Sequence, residues 1–187
     1  MKIGNHTYEE WVRHRSAVFV EDKKGAMCIS DDLIEFFIEK MENKQTYLEI
    51  GTFDGIALSI IAERYPDKEF HAIDAFINGT GTGGGCMGYF IDNNHHLKNV
   101  TLFVGTTDEI RLDKDFKLDV AFIDGDHSYE WTWKDFNKMY PLMNDGGIIA
   151  FHDYPMEGVK KAVDEICVQY GFKLIREPSC MWVEVSK

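Results

Sequence analysis

At 187 residues and 44% apolar, the chain has the size of one domain with a proper core and is too apolar for wholesale disorder. Its formal charge of -12 repels phosphate backbones and so disfavours bulk nucleic-acid binding. No window approaches the roughly 20 apolar residues of a membrane span, the polar start "MKIGNHTYEEWVRHR" lacks an apolar signal core, and Cys28, Cys86, Cys167 and Cys180 form no C-x-x-C pair. These features predict a soluble cytoplasmic protein with small buried thiols and no disulfide framework.

Residues 7–20 read as a helix with Tyr8, Trp11, Val12 and Phe19 on its apolar stripe. "DDLIEFFIEKME" (31–42) is a clearer amphipathic helix, opened by Ser30 as a cap and by acids that suit the helix dipole. A regular alternation then begins. Strands are predicted at 46–51, 69–74, 100–105, 117–124 and 146–153, and helices at 56–65, 88–97, 128–143 and 157–171. Pro66 stops the first of these helices, Ser128 caps the third and Gly171 ends the last. Two further strands, 172–177 and 181–186, are joined too closely to hold a crossover helix, so they are antiparallel to one another.

This order predicts an α/β fold, Rossmann-like and doubly wound. A mostly parallel seven-stranded sheet carries helices on both faces and an antiparallel C-terminal strand. Residues 1–187 are read as one domain, in which the helices of 1–45 cap a core over 46–187.

In open α/β sheets, ligands bind beyond the carboxyl ends of the strands. There the sequence places "EIGTFDG", Asp74, "GTTDE", "DGDH" and "HD". Gly51 and Gly55 let the backbone approach a ligand and let a helix start close to its strand. Asp74, about 20 residues further on, suits a ribose diol. The turn is G-x-x-x-G rather than G-x-G-x-x-G and has no P-loop lysine, which demotes NAD and ATP. "NGTGTGGGCMG" (78–88) reads either as a flexible surface loop or as a lid over this edge. Asp126 and Ser128 also suit plain helix capping, and Asp124-Gly125 plain turn chemistry. Three acids and two histidines on adjacent strand ends favour a site.

Taken in order, "YLEIGTFDG", "HAIDAF", "VGTTDEI", "DVAFIDGDHSYE" and "GGIIAFHDY" resemble the motifs of class I S-adenosylmethionine-dependent methyltransferases. The nearest likeness is to the small O-methyltransferase group with DGDHSYE and FHDY signatures, and a more distant one is to metal-dependent catechol-type and sugar O-methyltransferases. The resemblance spans about residues 46–170. It implies that Glu49, Gly51 and Phe53, with Gly55, line the methionine and ribose side of the cofactor, and that Asp74 holds the ribose hydroxyls. Thr106 and Thr107 would meet adenine, and Asp124 would border the cofactor and bind a divalent metal with His152 and Asp153. His152 departs from the family's acidic ligand, which opens the metal choice beyond magnesium to manganese, iron or zinc. The catalytic base is Asp126 by analogy with sugar-modifying members, or His127, which stands where catechol-type members carry a lysine.

These residue types belong together chemically. Methyl transfer from a sulfonium needs an aligned, electron-rich nucleophile. A divalent cation lowers a hydroxyl's pKa, and a nearby carboxylate or imidazole takes its proton. The expected activity is O-methylation of a small-molecule hydroxyl, on a sugar or phenol, with no nucleic-acid or membrane partner and with the oligomeric state open. Two alternatives are a nicotinamide oxidoreductase on a related fold, opposed by the G-x-x-x-G turn and the antiparallel ending, and a non-catalytic cofactor-binding module.

Overall fold

The computed structural model describes residues 22–25, 29–76, 85–176 and 180–186. The expected helix over 7–20, Cys28 and most of the glycine-rich stretch lie outside them. The chain order is α1 (Asp31–Met41), β1 (Thr46–Ile50), α2 (Ile56–Arg64), β2 (Glu69–Asp74), α3 (Met87–Asn94), β3 (Val100–Val104), β4 (Leu118–Ile123), α4 (Tyr129–Met139), β5 (Met143–Phe151), α5 (Glu157–Tyr170), β6 (Ile175–Arg176) and β7 (Met181–Glu184).

The seven strands form one sheet in the order β3-β2-β1-β4-β5-β7-β6. The pairs from β3 to β5 are parallel. β7 runs antiparallel to both β5 and β6. The chain winds outward from β1 to β3, then returns to lay β4 on the other flank of β1. That reversal is a topological switch point and opens a crevice beyond the ends of β1 and β4.

Strand periodicity sorts the core onto two faces. Tyr47, Phe70, Phe122 and Ala150 face α1 and α2, where the Phe37 ring sits 4.8 Å from Phe122 and 5.4 Å from Tyr47. Leu48, Ala121, Ile149 and Phe151 face α4 and α5. There Phe136 is fully buried, with Tyr140 stacked at 5.3 Å and Tyr170 edge-on at 5.1 Å. Burying a side chain of this kind is worth roughly 2–3 kcal/mol. α1 thus belongs to a layer of the sandwich, since Leu33, Ile34, Phe37 and Met41 are all buried against the sheet.

Some boundaries differ from expectation. The helix expected to reach 143 stops at Met139, because Pro141 has no N–H to continue it, and a short 3-10 turn spans 140–142. β5 consequently starts three residues earlier than predicted and ends at Phe151. β6 shrinks to two residues. Gly171 ends α5 in the left-handed conformation (φ 71°), as expected. Cys180 is buried, but Cys167 is half-buried and Cys86 is exposed, so the thiols are not uniformly buried. Among the described residues no helix is long and apolar enough to cross a membrane.

Candidate active site

The turn after β1 is built by backbone. Gly51 donates its N–H to Ile73 O at 2.9 Å and holds φ at 84°. A Cβ at Gly51 would lie 2.1 Å from the Asp124 carbonyl oxygen, so glycine is required both for φ and for the approach of β4. Phe53 also sits at positive φ (56°), which is rare for an aromatic residue and marks a backbone held under constraint. Gly55 (φ 68°) then starts α2.

Two carboxylates secure this turn. Asp74 accepts the Phe53 N–H at 2.9 Å on one oxygen and the Phe76 N–H at 2.7 Å on the other. Burial raises its pKa against the pull of these N–H groups. Glu49 is buried at 3% exposure and accepts the Tyr47 hydroxyl at 3.0 Å. Burial pushes its carboxyl up to about 8, with the nearby Asp124 charge acting the same way. A cationic group arriving at Glu49 would find a site already short of positive charge.

Beyond β4 and β5 the arrangement is made of side chains. His152 continues the strand pairing through its N–H to Ile123 O at 3.0 Å, which sets it beside Asp124. Its Nδ1 lies 3.1 Å from Asp124 Oδ1 and 3.3 Å from Asp153 Oδ2. His127 Nε2 lies 3.5 Å from Asp124 Oδ1 and 3.1 Å from Asp153 Oδ2. Both ring nitrogens are buried and without a hydrogen-bond partner among the described residues. Asp153 takes positive φ (49°), a conformation that asparagine and aspartate tolerate best. Asp124, His152 and Asp153 present ligand atoms within 4.8 Å of one another, a spacing that can hold a metal ion.

Electrostatics follow from this crowding. Asp124 and Asp153 raise His127 to about 10 against the opposing effect of burial. Burial likewise opposes the charged form of His152, and the same two carboxylates outweigh it, again to about 10. His127 and His152 in turn hold the Asp153 carboxyl far below the usual carboxylate range. Asp126 stands apart: it is exposed, and its Oδ1 accepts the Ser128 N–H at 2.9 Å. Ser128 caps α4 by accepting the Trp131 N–H at 3.3 Å, so the capping role foreseen for it is real.

The two threonines divide. Thr106 donates its hydroxyl to Glu109 at 2.9 Å. Thr107 is buried and donates to Asp135 at 2.6 Å, and burial raises Asp135 to about 7. Sequence reasoning passed over Asp135, although Thr132, Asp135, Phe136 and Met139 share one helical stripe and all are buried. It also passed over Tyr47, which shares a strand face with Glu49. A third omission is the buried pair Asp54 and Asn93. Asp54 accepts the Cys86 N–H at 2.6 Å, and Asn93 donates to Lys24 O at 2.8 Å and Asp54 O at 2.9 Å. These bonds pin the segment at 22–25 and the start of α3 onto the β1 turn. No local motif announces a tie made across so many residues.

Residues 48–154 match the family model of a methyltransferase domain. Protein R132 of Acanthamoeba polyphaga mimivirus, itself uncharacterized, is 32% identical over 114 residues, which are 58% of this chain and 51% of the relative. The chain therefore spans about half the length of that curated relative. Among solved structures, the O-methyltransferase NovP superposes with a TM-score of 0.71 at 18% identity, covering 86% of this chain and 82% of its own. CalS11, a TDP-rhamnose 3'-O-methyltransferase of calicheamicin biosynthesis, gives 0.65 at 16% identity, covering 83% and 78%. TomG of Streptomyces achromogenes, an O-methyltransferase solved with S-adenosylmethionine, gives 0.65 at 14% identity, covering 85% and 82%. At these identities the structural likeness establishes the fold.

Proposed function

The chain belongs to the methyltransferase domain family, and we propose that it is an S-adenosylmethionine-dependent enzyme that methylates a hydroxyl oxygen of a small molecule with the help of a divalent cation. The observation that carries this reading is the meeting of Asp124, His152 and Asp153 at the strand ends next to the glycine turn. NovP, CalS11 and TomG, which share the fold, are O-methyltransferases, and CalS11 acts on a sugar.

Gly51 and Phe53 would hold the cofactor through the backbone, and Glu49 and Asp74 would face its cationic amino-acid part and its ribose. The donor set fits: Glu49 is a buried acid pushed up by burial and by the Asp124 charge, which a cationic group would relieve, and Gly51 leaves no Cβ in the crevice. Thr106 and Thr107 would stand on the adenine side. Asp124, His152 and Asp153 would hold the metal, and the buried Nδ1 of His152, set between two carboxylates without a hydrogen bond among the described residues, fits that role. The cation would supply Lewis acidity, lowering the pKa of a bound hydroxyl.

When bound, S-adenosylmethionine would supply the methyl group from its sulfonium to the hydroxyl oxygen, and a side chain of the β4 turn, Asp126 or His127, would take the hydroxyl proton. Sugars and phenols both present such a hydroxyl. The test is single-turnover transfer from methyl-labelled S-adenosylmethionine to a panel of phenols and sugars, with and without added divalent ion. Labelled methyl ether that needs the ion supports the reading. Binding of S-adenosylhomocysteine with no transfer to any acceptor under either condition would sink it in favour of a non-catalytic cofactor-binding module.

A further inference from the structure

Three side chains, Asp124, His152 and Asp153, make up the cation site described above. The four distances around the cluster point to a fourth. Asp124 Oδ1 to His127 Nε2 is 3.5 Å, His127 Nε2 to Asp153 Oδ2 3.1 Å, Asp153 Oδ2 to His152 Nδ1 3.3 Å, and His152 Nδ1 to Asp124 Oδ1 3.1 Å. These steps close a ring of four atoms in which carboxylate and imidazole alternate. Metal–ligand bonds of about 2.1 Å set at right angles put neighbouring ligand atoms about 3.0 Å apart. Charge-assisted hydrogen bonds would be shorter, about 2.7–2.9 Å, with N–H aimed at oxygen. Here the spacing is longer, and neither ring nitrogen has a hydrogen-bond partner among the described residues.

From this geometry, and resting on the metal-assisted reading above, we propose that His127 is a fourth protein ligand, completing a set of two histidines and two aspartates that selects a divalent first-row transition ion over magnesium. Magnesium favours an all-oxygen shell, whereas imidazole suits manganese, iron, cobalt and zinc. The position of His127 is built rather than incidental. Gly158, at the start of α5, lies so close that a Cβ there would be 2.6 Å from the His127 carbonyl oxygen. On the other side, Ser128 is tied to Asp126 and caps α4. The backbone of His127 is thus clamped between two helix starts while its ring reaches Asp124 and Asp153. A nitrogen lone pair committed to a metal cannot also accept the acceptor's proton. The exposed carboxylate of Asp126 is then the base at this turn.

The experiment uses the full chain stripped of metal by chelation. Cobalt(II) and magnesium are titrated into wild type, His127→Ala, His152→Ala and Asp124→Asn by calorimetry and visible absorption. The bound histidine nitrogens are counted by pulsed electron paramagnetic resonance on copper(II)-loaded protein. Wild type is expected to bind cobalt at least about 100-fold more tightly than magnesium, and His127→Ala to weaken cobalt by about 10- to 100-fold. The nitrogen count is expected to fall from two to one in each histidine variant. Unchanged binding of S-adenosylhomocysteine shows that His127→Ala is folded. If that variant binds cobalt like wild type and keeps its nitrogen count while Asp124→Asn loses the ion, His127 is not a ligand and the three-residue site stands. If wild type takes up no divalent ion, the metal-assisted reading itself fails.

Discussion

Two halves of one sheet edge handle polar groups in opposite ways. At the ends of β1 and β2, every carboxylate has its partners: Phe53 and Phe76 N–H groups on Asp74, the Tyr47 hydroxyl on Glu49. At the ends of β4 and β5, two imidazole nitrogens are buried beside carboxylates without a hydrogen bond among the described residues. Buried imidazoles held against carboxylates by charge alone, without well-formed hydrogen bonds, are costly, so such a cluster suits a place where something else is to be bound. The first half is finished by the fold except at the buried Thr52 hydroxyl, which has no hydrogen bond among the described residues, and its site is a shaped backbone. The second half is finished only by a ligand.

The sharpest test of that contrast is Asp124→Asn. If the β4–β5 half is completed by a cation, this change abolishes divalent uptake and lowers kcat/KM by on the order of 10³-fold, and it also lowers the unfolding temperature of the metal-free protein at neutral pH, because Asp124 is one of the two carboxylates that hold the His127 and His152 charges. Wild-type ion uptake in this variant, read by calorimetry, would falsify the assignment. Next in size is Gly51→Ala, which strikes the seam between the halves. The new Cβ meets the Asp124 carbonyl oxygen and φ is left-handed, so the expected loss is about 3 kcal/mol. For a chain of this length that lowers Tm by roughly 6–12 °C. A loss below about 1 kcal/mol in urea unfolding would mean that the strand ends separate easily and the contrast is soft.

A hidden pair between the end of β3 and α4 gives a pH test of a polar contact completed within the fold. Asp135 is raised to about 7 from 3.8, so between those values the folded chain holds a proton that the unfolded chain has released. Stability from this group is therefore full below its unfolded pKa and lost as pH rises to about 7. Asp135→Asn can still accept the Thr107 hydroxyl but never ionises. It is expected to be more stable than wild type by of order 2 kcal/mol at pH 8, with the advantage vanishing near pH 4. Urea midpoints at the two pH values read this directly, and an advantage independent of pH would mean the wild-type aspartate is not held neutral. Asp74→Asn has a smaller, opposite effect. An amide has one accepting oxygen for two backbone donors, so about 1.5 kcal/mol is lost, and S-adenosylhomocysteine binding weakens while ion uptake does not change.

Much of this was legible because periodicity and chain direction constrain a doubly wound sheet. Seven strands, their mostly parallel order and the antiparallel ending follow from short apolar runs, alternating helices and one short final connection. The same logic placed Gly51, Asp74, Asp124, His152 and Asp153 at one edge, since each directly follows or ends a strand. Helix 128–143 was read too long because Pro141 sits inside an otherwise helical pattern. Partners escaped when they depend on distance in space. Asp135 meets Thr107 across 28 positions, and Asn93 meets Asp54 across 39. No local spacing encodes such pairs, although a polar residue on the buried stripe of α4 was a readable signal.

The smallest effect tests what holds the unfinished half in place. Ser128 caps α4 and follows His127 directly, so the cap could be what presents the His127 ring. The geometry argues otherwise. The capping bond is long, at 3.3 Å, and the close approach of Gly158 holds the His127 carbonyl from the opposite side. Asp124 and His152 are set by strand pairing, through Asp124 N–H to Ile50 O at 2.9 Å and His152 N–H to Ile123 O at 3.0 Å. Ser128→Ala is therefore expected to cost about 0.5–1 kcal/mol of stability and to shift cobalt affinity less than about threefold. A larger fall in affinity than in stability would transfer the positioning of His127 from the packing of α5 to the start of α4. The contrast between the two halves would then be weaker, because a backbone cap would be shaping the cation site as well.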